Sequence, residues 1–351
     1  MDFEKLNATL PEPDNAAALA AKTNWDNIAK PLGSLGLLEN AVTKIAAISG
    51  NADVHLNKRA VIVLCADNGV VREGISQSGS EVTALVAENL TRKQTSVCHM
   101  AGYTRADVIP VDMGMASRPD NPLLVDHHIA DGTMNIAEGP AMTREQTNKA
   151  IEAGIEIVRA CAEQGYAILA TGEMGIGNTT TSSAVASVLL HTSAAHVTGR
   201  GAGLSDTGLL RKISVIEKAI SVNKPDPDDA FDILMKLGGF DIAGMTGVFL
   251  GGALYRIPIV IDGIISAVSA LLAARLCPGA RYAMLASHVS DEPAAIMLLD
   301  ALELRPIINA EMRLGEGTGA VALLPLLDMA LCVYHGSSSF SDIGLEAYKP
   351  F

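Results

Sequence analysis

Chemistry in this chain concentrates in three glycine-rich segments. The longest, Thr171-Gly172-Glu173-Met174-Gly175-Ile176-Gly177-Asn178-Thr179-Thr180-Thr181-Ser182-Ser183, follows a short apolar run and opens a helical one. Glycines let a backbone turn tightly and approach a ligand, and a helix start offers unpaired N–H groups with a partial positive charge. Asn178 and the threonines add donors, so this segment can hold a phosphate without a basic patch. It is not a Walker loop, because no Lys-Ser/Thr follows a G-x-x-x-x-G. Nor is it a dinucleotide fingerprint, because Thr180 stands where the third glycine belongs. A close-packed strand-to-helix turn without a ligand would use the same glycines.

The second segment, Gly199-Arg200-Gly201-Ala202-Gly203-Leu204-Ser205-Asp206, offers more backbone donors, and Lys212 follows as a compact charge for the same phosphate. In the third, Arg313-Leu314-Gly315-Glu316-Gly317-Thr318-Gly319, a carboxylate sits between glycines that shield it little. Partly desolvated in a pocket, such a carboxylate makes a competent general base; in solvent it is only a charge at a helix start. The histidines offer less. His127-His128 have no carboxylate at zincin spacing, and His288 is expected to be a hydrogen-bonded structural residue. No metal and no cofactor are expected.

These segments need a frame. Short apolar runs at 60–65, 107–111, 166–170, 257–261 and 281–285 lack apolar–polar alternation, as strands covered on both faces do. Helical stretches separate them. One begins at Thr143, with Gln146 as its capping-box partner, and stops at Gly165. The alternation predicts an α/β fold: a doubly wound, mostly parallel sheet of Rossmann-like topology. Asp67, Asp112, Glu173, Asp262 and Ser287-His288 each follow a run, where the rim of a ligand pocket belongs; as helix caps they would sit in the same places. Residues 31–300 are expected to form the large nucleotide-binding domain. Residues 1–30 and 301–351 are expected to pair as a small helical domain that contributes the Glu316 loop, with 336–339 a loose surface loop.

Composition narrows the class. Of 351 residues, 49% are hydrophobic and 4% aromatic, and the formal charge is −13, so neither a basic stripe nor stacking rings exist for nucleic acid. Five scattered cysteines form no Cys-x-x-Cys pair, and the N-terminus lacks a signal pattern. The most apolar stretch, 257–274, is broken by Pro258, Asp262 and Gly263, which argues for a buried strand and helix over a membrane span. A cytoplasmic enzyme without membrane partners is expected.

Several segments in order resemble the nicotinate-nucleotide–dimethylbenzimidazole phosphoribosyltransferase family: Lys30-Pro31-Leu32-Gly33-Ser34-Leu35-Gly36, Ala66-Asp67-Asn68-Gly69-Val70, Val111-Asp112-Met113-Gly114-Met115, Gly132-Thr133-Met134-Asn135-Ile136 and Gly139-Pro140-Ala141-Met142-Thr143. The 172–183 loop, Gly238-Gly239-Phe240-Asp241-Ile242-Ala243-Gly244-Met245 and Leu314-Gly315-Glu316-Gly317-Thr318-Gly319 complete the set. Each segment alone is weak; their conjunction spans nearly the whole chain.

The resemblance implies transfer of the 5-phosphoribosyl group of nicotinate mononucleotide, with inversion, to an aromatic acceptor such as dimethylbenzimidazole. It implies that Glu316 is the general base and that Glu173 and Asp241 lie close to the ribose and the reacting bond. Gly175, Gly177, Asn178, Thr179, Gly201 and Lys212 match phosphate and ribose binders, and Ile176, Ser290, Leu314 and Gly315 complete the expected substrate contacts. It also implies a homodimer. Two segments depart from the family pattern, both expected near the acceptor: Asn68 stands where a His is commoner, and Gly74-Ile75-Ser76-Gln77-Ser78-Gly79-Ser80-Glu81-Val82-Thr83 lacks the usual Ser-Pro or Tyr-Pro step before Val-Thr. They leave open a relative specialised for phenol or p-cresol, working with a second homologous subunit. A sensor that binds the nucleotide without catalysis would keep the 172–179 loop but have no need of Glu316.

Overall fold

The computed structural model describes residues 1–348. At its centre lies a six-stranded sheet of β1 (Arg59–Ala66), β2 (Asp107–Gly114), β3 (Val125–Asp126), β4 (Ile168–Met174), β5 (Ile259–Ile261) and β6 (Met284–Ala286). All its pairings are parallel, in the order β3-β2-β1-β4-β5-β6. A second, two-stranded parallel sheet joins β7 (His288–Ser290) to β8 (Ile308–Met312). Strand order reverses between β1 and β4. That switch point opens a crevice beyond their carboxyl ends, where a doubly wound sheet binds its ligands.

All eight residues of β1 are buried, because helices cover both faces. Ile62, Leu64 and Ala66 join a core with the helices Arg144–Glu163, Asn178–Leu189, Phe240–Leu254 and Ile264–Leu276. Val61, Val63 and Cys65 point the other way, into a core with Asn15–Asn27, Leu37–Ser49, Ser96–Thr104 and Thr318–Gly336. The Thr143–Gln146 capping box forms, and Gly165 takes the left-handed conformation after the helix, as the sequence predicts.

Some boundaries differ from the sequence reading. The strand expected at 166–170 starts at Ile168 and continues to Met174, so Glu173 lies inside its last turn of pleat. Asp112 likewise belongs to β2. Of 281–285 only the end is strand: Pro278 starts a 3-10 turn through Ala283 before β6. Residues 337–339 are at the surface but not loose, since Ala29 N–H donates to Ser338 at 3.0 Å and Ile28 bridges to Ser339.

The chain ends meet through Trp25 and Tyr334, whose rings stand 4.8 Å apart edge to face, and through Asn24 Nδ2, which donates to the Tyr334 carbonyl at 3.1 Å. Among the described residues, Thr318–Gly336 is the helix long and apolar enough to cross a membrane. Here its Val321, Leu323, Leu324 and Leu327 are buried in the second core.

Glycine sets the closest helix pair. A Cβ on Gly154 would lie 1.9 Å from the Gly244 carbonyl oxygen, and one on Gly247 would lie 2.0 Å from that of Ile151. Backbones therefore touch directly between Arg144–Glu163 and Phe240–Leu254. Gly247→Ala should destabilise the protein by about 1–3 kcal/mol through overpacking, beyond the roughly 1 kcal/mol that alanine gains in helix propensity. Denaturant unfolding checks this, and an unchanged midpoint would contradict the backbone contact.

Candidate active site

A cavity of about 220 Å³ opens at the carboxyl ends of β4 and β5, one strand along from the switch point. One wall is the turn between β4 and the helix Asn178–Leu189. Gly175 has no side chain because a Cβ would stand 2.5 Å from the Ala66 carbonyl oxygen at the end of β1. Gly177 needs its freedom for a φ of +93°. Ile176 N–H donates to Thr83 Oγ1 at 3.2 Å, so the turn is pinned from outside. The helix then starts at the cavity, with Asn178 and Thr179 in its lining.

Lys212 supplies the positive charge. It is 1% exposed, on the helix Asp206–Asn223, and its Nζ donates to Thr179 Oγ1 at 2.9 Å and to the Gly199 carbonyl at 3.1 Å. Burial lowers its pKa to about 8, against the pull of Glu292. Gly201 lies beside it: a Cβ there would be 3.0 Å from Thr179 Oγ1 and 3.4 Å from Lys212 Nζ. A buried ammonium with only neutral hydrogen-bond partners is stabilised by an arriving anion.

Carboxylates gather at the seam between β4 and the Glu316 loop. Gly315, Glu316 and Gly317 have φ of +92°, +61° and +94°, three left-handed residues in succession. For Glu316 that conformation is strained by about 1–2 kcal/mol, and such strain persists only where the surroundings enforce it. Here they do. A Cβ on Gly172 would lie 2.3 Å from the Glu316 carbonyl oxygen, and one on Gly315 would lie 2.7 Å from Glu173 Oε1. Asp262, just past β5, accepts from Gly317 N–H at 3.2 Å and Ala320 N–H at 2.9 Å, capping the helix that follows. Val97 N–H donates to Glu316 Oε2 at 3.1 Å and fixes the half-buried carboxylate.

Burial pushes Glu173 well above the usual carboxylate range, although Asn178 Nδ2 donates to it; Asp241, Asp262 and Glu316 push it further. Asn178 Nδ2 also donates to Asp241 Oδ2 at 3.1 Å. Burial raises Asp241 and Asp262 each to about 6, opposed in Asp241 by Asn178 and in Asp262 by backbone N–H groups.

The cavity wall includes Glu173, Gly175, Ile176, Gly177, Asn178, Thr179, Gly201, Lys212, Ser290, Leu314, Gly315 and Glu316. Asp241 is absent from it, lying fully buried behind Asn178. Ser290 Oγ is buried without a hydrogen-bond partner among the described residues, as a ligand-facing hydroxyl would be. Of the five positions expected on the rim, Glu173, Asp262 and His288 line the cavity. Asp67 and Asp112 do not: their carboxylates accept from Ala116 N–H and from Gly114 and Met115 N–H, which folds the turn after β2. His288 is hydrogen-bonded to Ser287 Oγ at 2.9 Å. Ile75, Ser76 and Gln77 reach the wall, whereas Asn68 packs beneath the turn, with its Cβ 3.3 Å from where a Cβ on Gly177 would stand. Glu292, beside Lys212, escaped the sequence reading, since nothing in Ser290-Asp291-Glu292 distinguishes a lining carboxylate from a solvated one.

Lys212 sets a pH dependence. The free protein holds that proton below about pH 8 and loses it above. A phosphate monoester is already a dianion above about pH 6.5, so its affinity should fall as pH rises past about 8, and Lys212→Met should bind weakly with no such break. Calorimetry with ribose 5-phosphate across that range checks this; a flat profile for the unsubstituted protein contradicts a Lys212–phosphate contact.

Comparison with known proteins identifies the family. A phosphoribosyltransferase family model matches residues 10–345. The nicotinate-nucleotide–dimethylbenzimidazole phosphoribosyltransferase of Ruminiclostridium cellulolyticum is 45% identical over 350 residues, covering 100% of this chain and 99% of that protein. The enzyme of the same name from Acetivibrio thermocellus is 48% identical over 325 residues, 93% of each chain. The crystal structure of CobT from Thermus thermophilus superposes with a TM-score of 0.89 at 35% identity, covering 95% of this chain and 100% of that one. A family match over nearly the whole chain, full-length relatives above 40% identity and a shared fold lead to one conclusion: the chain belongs to the nicotinate-nucleotide–dimethylbenzimidazole phosphoribosyltransferase family.

Proposed function

We propose that this chain transfers the 5-phosphoribosyl group of nicotinate mononucleotide to 5,6-dimethylbenzimidazole or a related aromatic acceptor, giving α-ribazole 5′-phosphate and nicotinate. The observation that carries this reading is one cavity lined by Glu316, Glu173 and Lys212, in a chain similar over its full length to enzymes named for that reaction. Lys212, Gly201 and the 175–179 turn hold the 5′-phosphate. With the phosphate fixed, the ribose presents one face to the acceptor while nicotinate leaves from the other, so inversion follows from orientation.

The bond from C1′ to the pyridinium nitrogen breaks, and its electron pair neutralises that nitrogen. One acceptor nitrogen forms the new bond to C1′, and Glu316 takes the proton from the other. Positive charge on the ribose grows as the bond breaks. Glu173, whose burial favours the neutral carboxyl, gains reason to ionise when the pyridinium arrives and then stabilises that charge. Asp241 acts through Asn178, orienting its amide toward Glu173.

In this reading residues 31–300 hold the nucleotide, and residues 1–30 with 301–351 form the helical part that delivers the Glu316 loop, supported by the Trp25–Tyr334 contact. Ile75, Ser76 and Gln77 contribute to the acceptor's wall. A cytoplasmic homodimer is the proposed working form; unpaired cysteines, four of five buried, suit a reducing compartment.

Incubation with nicotinate mononucleotide and a panel of benzimidazoles, adenine, phenol and p-cresol should release nicotinate, with benzimidazoles fastest. Silence with every acceptor would refute the assignment. Glu316→Gln should lower kcat by about 10²–10⁴-fold, as loss of a general base does, while nucleotide affinity stays within about threefold. Near-normal turnover with chemistry rate-limiting would remove Glu316 from that role.

A further inference from the structure

A second cluster of ligating side chains lies where the loop before β1 meets the last turn of Thr318–Gly336. Asp53, His55 and His335 offer one ligand atom each, all within 4.8 Å of one another. His55 Nε2 is 3.1 Å and His335 Nδ1 3.8 Å from Asp53 Oδ1. Ligands of a tetrahedral zinc ion with bonds near 2.1 Å stand about 3.4 Å apart, so the two distances bracket the required spacing. None of these residues lines the reaction cavity. His335 is next to last in a helix of 19 residues that starts beside Glu316, which at 1.5 Å per residue puts the cluster about 26 Å along its axis.

His335 is already set as a ligand. Its Nε2 faces the Val54 carbonyl oxygen at 2.9 Å, and a carbonyl only accepts, so the proton sits on Nε2 and the Nδ1 lone pair is available toward Asp53. Metal-bound histidines are oriented by this kind of outer contact. Tyr334 makes a second one, its hydroxyl donating to the Ala52 carbonyl at 2.8 Å, so loop and helix are held in register. The His55 and His335 rings stack at 4.8 Å with an interplanar angle of 8°. Parallel rings cannot both aim a lone pair at one ion, but the side chain of His55 is 56% exposed and has room to turn.

We infer that Asp53, His55 and His335 form a binding site for a divalent transition ion of the zinc class, separate from the reaction cavity. Two imidazoles and one carboxylate suit zinc or cobalt(II) over magnesium or calcium, which prefer all-oxygen shells. Three protein ligands leave a fourth position for water. The ion would join the 51–58 loop to the end of the helix whose start carries Glu316. In the sequence 281 residues separate His335 from Val54, so no local spacing announces the site.

Tag-free, metal-stripped full-length protein titrated with Zn²⁺ by calorimetry, and with Co²⁺ by visible absorption, tests this. The expected result is one saturable equivalent, a four-coordinate Co²⁺ spectrum and a higher Tm with Zn²⁺. Exposed His55→Ala and Asp53→Asn should fold normally and weaken binding by at least about tenfold, since even outer partners of a metal site are worth that much. Cys332→Ser, one turn before His335, should leave it intact. No saturable binding, or binding that survives His55→Ala or vanishes in Cys332→Ser, overturns the site.

Discussion

The site depends on the cap that Asp262 places on the helix Thr318–Gly336. That carboxylate projects from the end of β5 and binds Gly317 and Ala320 N–H, so the last element of the catalytic cavity hangs from the central sheet. The cap locks a loop whose three left-handed residues would otherwise relax, and it places Glu316 over the end of β4. Gly172, Gly315 and Gly317 make the placement feasible, because a Cβ there would intrude on the Glu316 backbone, the Glu173 carboxylate and the Val61 side chain respectively. Sheet, cap and glycine seam form one rigid support, which a general base needs more than it needs exposure.

Electrostatically the cavity is divided. Among the described residues Lys212 answers to no carboxylate at salt-bridge distance, while Glu173, Asp241, Asp262 and Glu316 crowd the other elements of the site. Burial raises three of those carboxyls and lowers Lys212, so in the protein alone desolvation disfavours the charged form of each. A ligand with a phosphate and a cationic ring reverses both shifts. The site is therefore matched to a molecule bearing both charges, and a ligand with only one leaves half of the desolvation uncompensated.

Much of this was legible in the residues. Runs such as 60–65 read as strands because both faces are buried, and the Thr143–Gln146 pair read as a helix start because its two hydrogen bonds are local. The glycine segments stood out by density, and twelve of the thirteen expected site residues share one cavity wall. What failed was long-range. Asp67 and Asp112 look like Asp262 in the sequence, yet only the fold decides which carboxylate is consumed by a turn and which supports a helix in the cavity. β7 and β8 are short, and their pairing across a gap of 17 residues has no periodic signal.

The glycines changed meaning most. Read as a sequence, Gly172, Gly175 and Gly177 look like one phosphate cradle. In three dimensions each solves a different steric problem: Gly172 admits the Glu316 backbone, Gly175 the end of β1, and Gly177 a left-handed turn above Val71 and Asn68. Substituting any of them would disturb packing before it disturbed a ligand, so loss of nucleotide binding in a glycine variant is poor evidence for a backbone–phosphate contact. Lys212 and Thr179 are the sharper probes, since their side chains end at the cavity. The same reasoning separates Glu316 from its support: the glycines and Asp262 determine where it stands, and only its carboxylate can take the proton.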